Sequence, residues 1–497
     1  MRGLAGFLCI ASFVVFGAVG CGGDGDAPEL MCTDGVCPCT EGGIRAAIVE
    51  GFGSYTFDCD GPTTIVSGRE IAIDADVTLD GGGVLTVDGN GAHRVFSVPD
   101  GVTAELIGFA VTNGHESELN GGAISNEGTL TLRNTTVSES SAGRDTGCRT
   151  TDPNLLCSEG GGIWNAGTLT LIDSTVSGNS APFGGGIANR QGSLTVIDSD
   201  VFSNVADGCR GAAAQLCSGG GGIWNSAALT MINSTVSDSE ADWGAGIYTR
   251  AGAPTLTNIT ISGNTAGFDG GGLLSFGLLT LIDCTVADNV AGQSGGGIAN
   301  QQPGTLELTS STVSGNSAAA AGGGLFNPVG AAADLLNTTV STNTAENLGG
   351  GVYTEGALSL TSSTIARNDA PNGSAIYDPG TRGNLLRSIT NTAVEGSCAG
   401  SPLDSGGYNI ESPGDSCGFD EASDQPAEDQ LNLGPLQDNG GPTQTHALLA
   451  NSAAIEQIPQ SDCVDGAGEP LTVDQRGEPR LAGPSSTCDV GAFEAQP

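Results

Sequence analysis

The sequence predicts an all-β fold built as a solenoid of stacked coils, and three observations predict it. The first is a phrase that returns roughly every 25 residues between Gly121 and Tyr377. It reads G-G-[I/L/V]-x-[N/S/T], then a T-L-T-L run, then T-V-S-x-N. Its apolar anchor falls at Ile124, Ile163, Ile187, Ile223, Ile247, Leu273, Ile298, Leu325, Val352 and Ile376, in steps of 39, 24, 36, 24, 26, 25, 27, 27 and 24 residues. The second is composition: aromatics are 4% of the chain against 82 glycines, so a core must stack Val, Ile, Leu and Thr. The third is a period of two inside each repeat, as in Thr168-Leu169-Thr170-Leu171, which buries one face of a strand. A repeat of this length with no helical pattern is one coil resting on copies of itself.

Within a coil the elements follow from residue chemistry. Leu169 and Leu171 point inward from the first strand, Asp173-Ser174 can turn the corner by bonding back to the backbone, and Thr175-Val176-Ser177 starts a second strand with Val176 inward. Gly178-Asn179 turns again, and Gly184-Gly185-Gly186-Ile187 opens the next coil. Three short strands per coil, each beside its equivalent about 4.8 Å away, give parallel sheets. Because parallel crossovers are right-handed, the expected fold is a right-handed parallel β-helix of roughly 12–14 coils over residues 61–395.

Two columns recur. Asn179, Asn204, Asn264, Asn289, Asn316, Asn343 and Asn368 occupy one turn and can hydrogen-bond along the axis as a ladder. Three residues before each T-V-S valine stand Asn134, Asp173, Asp198, Asn233, Asn258, Asp283, Ser310, Asn337 and Ser362. Neighbouring Asp173 and Asp198 make the weak calcium candidate of this chain; turn chemistry accounts for the same column without a metal. No other cofactor is expected.

The ends read differently. Residues 1–20 combine Arg2, an apolar stretch and small residues, as a secretion signal does. Ala18-Val19-Gly20-Cys21 resembles a bacterial lipobox, which implies lipidation of Cys21 and anchoring by acyl chains rather than a spanning helix. Residues 21–31 are then a flexible acidic tether, 32–60 an N-terminal cap over the open sheet edge, and 396–497 a non-repeating C-terminal cap. Fifteen cysteines suit an oxidising compartment. Cys148 with Cys157 and Cys209 with Cys217 read as loop staples. Cys398, Cys417, Cys463 and Cys488 are disulfide candidates in the tail, as are Cys32, Cys37, Cys39 and Cys59 near the start, with pairing open in both groups. Cys284 is left over in a strand, as a packed thiol.

The tail carries the sharpest resemblance. Residues 433–448 (LGPLQDNGGPTQTHAL), Asp474-Gln475-Arg476-Gly477-Glu478-Pro479-Arg480 and Cys488-Asp489-Val490-Gly491-Ala492-Phe493-Glu494 resemble the signature of choice-of-anchor Q domain proteins. Near the start, residues 39–48 are similar to that family's Cys-Ser-Leu-Arg-Glu-Ala-Ile opening. Ala453-Ala454-Ile455-Glu456-Gln457 departs from its usual Pro-Ala-Ile-Asp-x-Gly. The repeats are similar to those of polymorphic outer-membrane and pectate-lyase-like proteins. The resemblance implies a bacterial cell-surface β-helix lipoprotein, in the envelope and outer membrane, and brings no reaction with it.

Charge and residue inventory narrow the function. A net charge of -41 with no lysine opposes nucleic-acid binding. A polysaccharide lyase or hydrolase of the pectate-lyase-like superfamily is the alternative reading, yet it needs a base or paired carboxylates. The three histidines, His93, His115 and His446, are scattered, His446 having a structural hydrogen bond as its expected role. No catalytic residue is assigned. Binding has better residues: five of the eight Trp and Tyr residues occupy the position after the anchor. That column reads Trp164, Ala188, Trp224, Tyr248, Leu274, Ala299, Phe326, Tyr353, Tyr377. Alternation sends them outward, where rings can stack sugars or meet a protein. The two long steps each place a cysteine-stapled insertion just before Trp164 and Trp224. The reading is an adhesin-like or structural surface protein, leaning against catalysis. A groove in which Asp, Arg and aromatic side chains converge would decide where a ligand sits.

Overall fold

The computed structural model describes residues 32–117, 120–143, 158–208, 218–380, 387–425, 431–480 and 487–496. The signal segment, Cys21, the tether and the insertion cysteines Cys148, Cys157, Cys209 and Cys217 lie outside the described residues.

The repeat is a literal strand register. In one coil Ile163–Asn165, Thr168–Ile172, Thr175–Ser177 and Ser180–Ala181 follow one another. Each pairs in parallel with its equivalent one coil on: Ile163 with Ile187, Leu169 with Leu194, Val176 with Val201, Ala181 with Ala206. The anchor strands form a thirteen-stranded sheet and the Ser180-type strands a nine-stranded one. The T-L-T-L and T-V-S strands share a third sheet. The two-residue strand at Ser180 is a fourth element where the sequence suggested three; it is too short to show alternation. Ile163, Leu169, Leu171 and Val176 have no exposed surface, so the core is a stack of aliphatic rows.

Polar ladders run beside those rows. The asparagine ladder forms, with Asn264 donating to Asn289 at 2.9 Å and Asn289 to Asn316 at 2.9 Å. A second ladder, not recognised from the sequence, uses the last residue of the anchor phrase: Asn126 to Asn165 at 2.7 Å, Asn165 to Asn189 at 2.8 Å, Asn189 to Asn225 at 2.7 Å. A third passes backbone N–H groups to hydroxyls, Ser174 to Ser199 at 3.0 Å and Ser199 to Ser234 at 3.1 Å. Buried amides and hydroxyls along these ladders are thereby satisfied one coil at a time, except the Oδ1 atoms of Asn126 and Asn300, which accept no hydrogen bond. Cys284 stands in this hydroxyl file, its thiol bonded to the carbonyls of Leu256 and Ile282, and burial pushes it up to about 12. It is an inert packed thiol, as expected.

The Asn/Asp column is a column of left-handed corners: Asn134, Asp173, Asp198, Asn233, Asn258 and Asp283 all have φ between +49° and +56°. Asn and Asp tolerate that region best among residues with a side chain. The triple glycine has a matching cause. Gly184 has φ +63°, and a Cβ on Gly185 would lie 2.4 Å from the Val205 carbonyl oxygen.

The start of the chain holds the one helix among the described residues, Glu41–Glu50. Thr40 caps it by accepting from the Gly43 N–H at 3.1 Å, and Ile44, Ala47 and Ile48 bury themselves against the first coils. Tertiary burial overrides two glycines that argue against a helix. Disulfides Cys32–Cys37 and Cys39–Cys59 tie this region.

The far end corrects the expected boundaries. Parallel pairing does not stop at 395: Cys398–Gly400 pairs with Ile376–Asp378, and Ile410–Ser412 with Ala393–Glu395. These strands were hidden because their sequences have left the repeat phrase. The disulfide Cys398–Cys417 lies here, and Cys463–Cys488 lies in the tail proper. Residues 431–480 and 487–496 meet the last coil, where Tyr408 bonds to Asp462 and Gln425 to Gln457. They also dock sideways on the T-V-S strands between Ser310 and Ala393, and the tail motifs make the contacts. Gln475 donates to Thr312 Oγ1 at 2.9 Å and accepts from Thr339 Oγ1 at 2.6 Å. Buried Arg480 donates to Asn337 Oδ1 at 2.7 Å and to the Gly491 carbonyl at 2.7 Å, with Glu494 at 3.5 Å. His446 Nδ1 faces the Gly434 carbonyl at 2.7 Å, so it carries the proton and Nε2 accepts from Ser341 at 2.8 Å. That is the structural role the sequence suggested.

Candidate functional site

The aromatic column is a true file. Trp164 pairs with Ala188, Ala188 with Trp224, Trp224 with Tyr248, and onward through Leu274, Ala299, Phe326 and Tyr353 to Tyr377. Its neighbours on each strand, such as Ile163 and Asn165, are buried, so the file lies on the outer face of the thirteen-stranded sheet.

Freely presented rings are not what the chain builds there. Trp224 is only 4% exposed and Tyr353 only 8%. Off-column residues cover them: Phe183 packs 6.1 Å from Trp224, Arg190 lies 5.4 Å over the same ring, and Phe276 is 5.8 Å from Tyr248. Trp243 and Phe268 stack at 4.9 Å. At the C-terminal end the file is continuous, with Phe326, Tyr353 and Tyr377 stacked at 5.1 and 5.6 Å. Phe326 and Tyr377 keep partial exposure, as do Trp164 and Tyr248. Burial and then the hydrogen bond to Glu355 raise the Tyr353 hydroxyl.

Two carboxylates in this wall were not singled out from the sequence. Glu159 accepts from Trp164 Nε1 at 3.3 Å and pairs with Arg190 at 3.0 Å; burial raises it, opposed by Arg190. Asp269 accepts from the Ser294 N–H and from Gln301 Nε2, each at 2.9 Å, and burial raises it too. Glu159 stands in the file that pairs through Phe183 and Gly219 to Trp243, and the Gly244 N–H bonds to the Asp269 carbonyl. Four coil steps, about 19 Å, therefore separate the two acids. Carboxylates flanking a glycosidic bond stand about 5–9.5 Å apart, so Glu159 and Asp269 are too far apart to act as such a pair.

Asp173 and Asp198, the calcium candidates, sit at exposed corners, where Asp198 accepts from Asn233 at 3.1 Å. Among the described residues no group of three or more His, Cys, Asp or Glu side chains could hold a metal ion. His93 and His115 are not members of the file; His93 faces the carbonyls of Arg94 and Ser67, and His115 the Ser141 hydroxyl.

Comparison with known proteins agrees with the register. No curated protein and no solved structure matches the chain. Residues 159–345 match the family model described as a right handed beta helix region, which covers the coils carrying the file from Trp164 to Phe326.

Proposed function

We propose that this chain is a non-catalytic surface protein of the bacterial envelope, tethered by lipid at Cys21, whose outer aromatic file binds a glycan or a protein partner. The observation that carries the reading is the Phe326–Tyr353–Tyr377 stack, three rings spaced by the strand repeat and open at Phe326 and Tyr377. An axial row of rings suits an extended ligand, and fixed rings bind at small entropic cost. Phe326→Ala with Tyr377→Ala should abolish retention on glycan arrays or whole cells while the melting temperature barely moves. Unchanged retention would end the reading. Cys21→Ser should abolish labelling by a palmitate analogue. The fold is also compatible with a pectate-lyase-like polysaccharide lyase or hydrolase; depolymerisation of acidic polysaccharides, with and without calcium, is its assay.

A further inference from the structure

A second surface, on a different sheet, also brings an acid, an arginine and an exposed ring together. A cavity of about 740 Å³ opens on the outer face of the T-L-T-L strands at the N-terminal end. Phe52, Asp76, Glu105, Arg133, Thr131 and Thr170 help to line it. Phe52 is 87% exposed at φ +52°. A bulky aromatic side chain in the left-handed region, aimed at solvent between Gly51 and Gly53, contributes nothing to the core and carries backbone strain. Strain of that kind collects at functional positions. Arg133 and Glu105 pair at 3.3 Å on the wall, and Asp76 accepts from the Thr103 N–H at 2.8 Å.

The cavity continues into a row. Thr131 pairs in register with Thr170, then Thr195, Thr230, Thr255 and Thr280, six threonines in succession bounded by Glu105 before and Glu307 after. Beside it runs Ile172, Ile197, Ile232, Thr257 and Ile282. From Thr168 to Ile282 no outward residue of these strands is charged, in a chain of net charge -41. The face spans five coils by about 13 Å, some 300 Å², far below the roughly 800 Å² per partner of a stable protein interface. A single extended strand of ligand fits that width.

We infer that this trough is a glycan site distinct from the aromatic file, and that its ligand is an uncharged linear polysaccharide lying along the solenoid axis. Phe52 offers a ring for a sugar face, and the Arg133–Glu105 pair offers a donor and an acceptor side by side for neighbouring hydroxyls. A pyranose is about as long as one coil step, so each sugar meets one threonine hydroxyl. Asp76 and Glu105 at the entrance repel uronates. The inference shares with the proposed function only the ligand class.

Calorimetry on the full chain tests it, with cellohexaose as the uncharged probe and hexagalacturonate as the charged one. Wild-type protein should bind cellohexaose and not hexagalacturonate. Phe52→Gly should weaken cellohexaose at least tenfold with a melting temperature equal to or above wild type, since glycine accepts φ +52° without strain. Thr195→Glu, mid-row and half-exposed, should do the same. Wild-type protein that binds neither hexamer or prefers hexagalacturonate, or a Phe52→Gly variant that binds as wild type, overturns the inference. If Phe326→Ala with Tyr377→Ala abolishes binding and Phe52→Gly does not, the trough fails and the aromatic file stands; the reverse result fails the file.

Discussion

Thr175-Val176-Ser177 and Thr339-Val340-Ser341 are the same tripeptide at the same place in the coil, and they live in different environments. In the first, only the valine is buried and both hydroxyls reach solvent; in the second, all three residues are buried. The solenoid is not the cause, since both pair with their neighbours in the same parallel register. The tail is the cause: Gln475 takes the Thr339 hydroxyl and His446 takes that of Ser341. A repeat therefore fixes which face a residue is on, and it is silent about what lies over that face. The same lesson holds on the other sheet, where Trp224 and Tyr377 share a file but only Trp224 is roofed.

The largest break in this comparison is Arg480→Met. Its guanidinium is wholly buried and ties Asn337 of the solenoid to Gly491 and Glu494 of the tail. Methionine leaves the buried Asn337 Oδ1 and Gly491 carbonyl without their donor, at about 1–3 kcal/mol for each unsatisfied group, so the tail should undock, seen as early cleavage after residue 412 in limited proteolysis. Arg133→Met, which breaks an exposed pair with Glu105, should cost no more than about 1 kcal/mol by urea titration.

The next effect is a pH dependence confined to the covered region. Burial, with Arg367 adding to it, depresses His446 from 6.5 to about 4, while its bond to Gly434 opposes the shift. A depressed histidine favours the neutral form in the fold. Its contribution is complete above pH 6.5 and is lost as pH falls toward 4, about 3 kcal/mol in all. Glu494 runs the other way: burial, then Asp489, raise it from 4.5 to about 8 against Arg480, so its contribution is complete below 4.5 and lost as pH rises through 8. Between pH 4.5 and 6.5 the two slopes oppose each other. Glu494→Gln removes one of them, and tail stability should then fall steadily from pH 6.5 to 4, read by urea unfolding across that range. A flat profile in that variant would contradict the docking geometry of His446.

How much of this was legible in the sequence follows the same division. The clock Ile163, Ile187, Ile223 is the strand pairing itself, because stacking identical coils is the only way these rows bury their aliphatic residues. The helix at Glu41–Glu50 was not legible, since Gly42 and Gly43 speak against it and only packing of Ile44 and Ile48 selects it. Strand pairing beyond 395 was hidden by lost phrasing. The tail contacts of Ser341 with His446 and of Ser311 with Gln475 join residues 105 and 164 positions apart, which no local pattern encodes. At the site, the file was readable by register, but its roof comes from Phe183, Arg190 and Phe276, which are not repeated as like residues from coil to coil. Phe52 passed unnoticed because its meaning rests on φ and on what lies across the groove.

The sharpest and smallest test makes one substitution in both copies of the tripeptide. Ser341→Ala leaves His446 Nε2, an acceptor inside a covered face, without its donor, and an unsatisfied buried group costs about 1–3 kcal/mol. Ser177→Ala removes a hydroxyl that water already serves, and a surface change of that kind stays within about 0.5 kcal/mol. Sequence, strand pairing and backbone environment are common to the two variants, so the difference between their urea midpoints isolates the tail. Equal midpoints would mean that the tail lies on the T-V-S strands without being held by them. A gap of one kcal/mol or more would mean that its motifs are a clasp, and that the repeat alone could never have announced it.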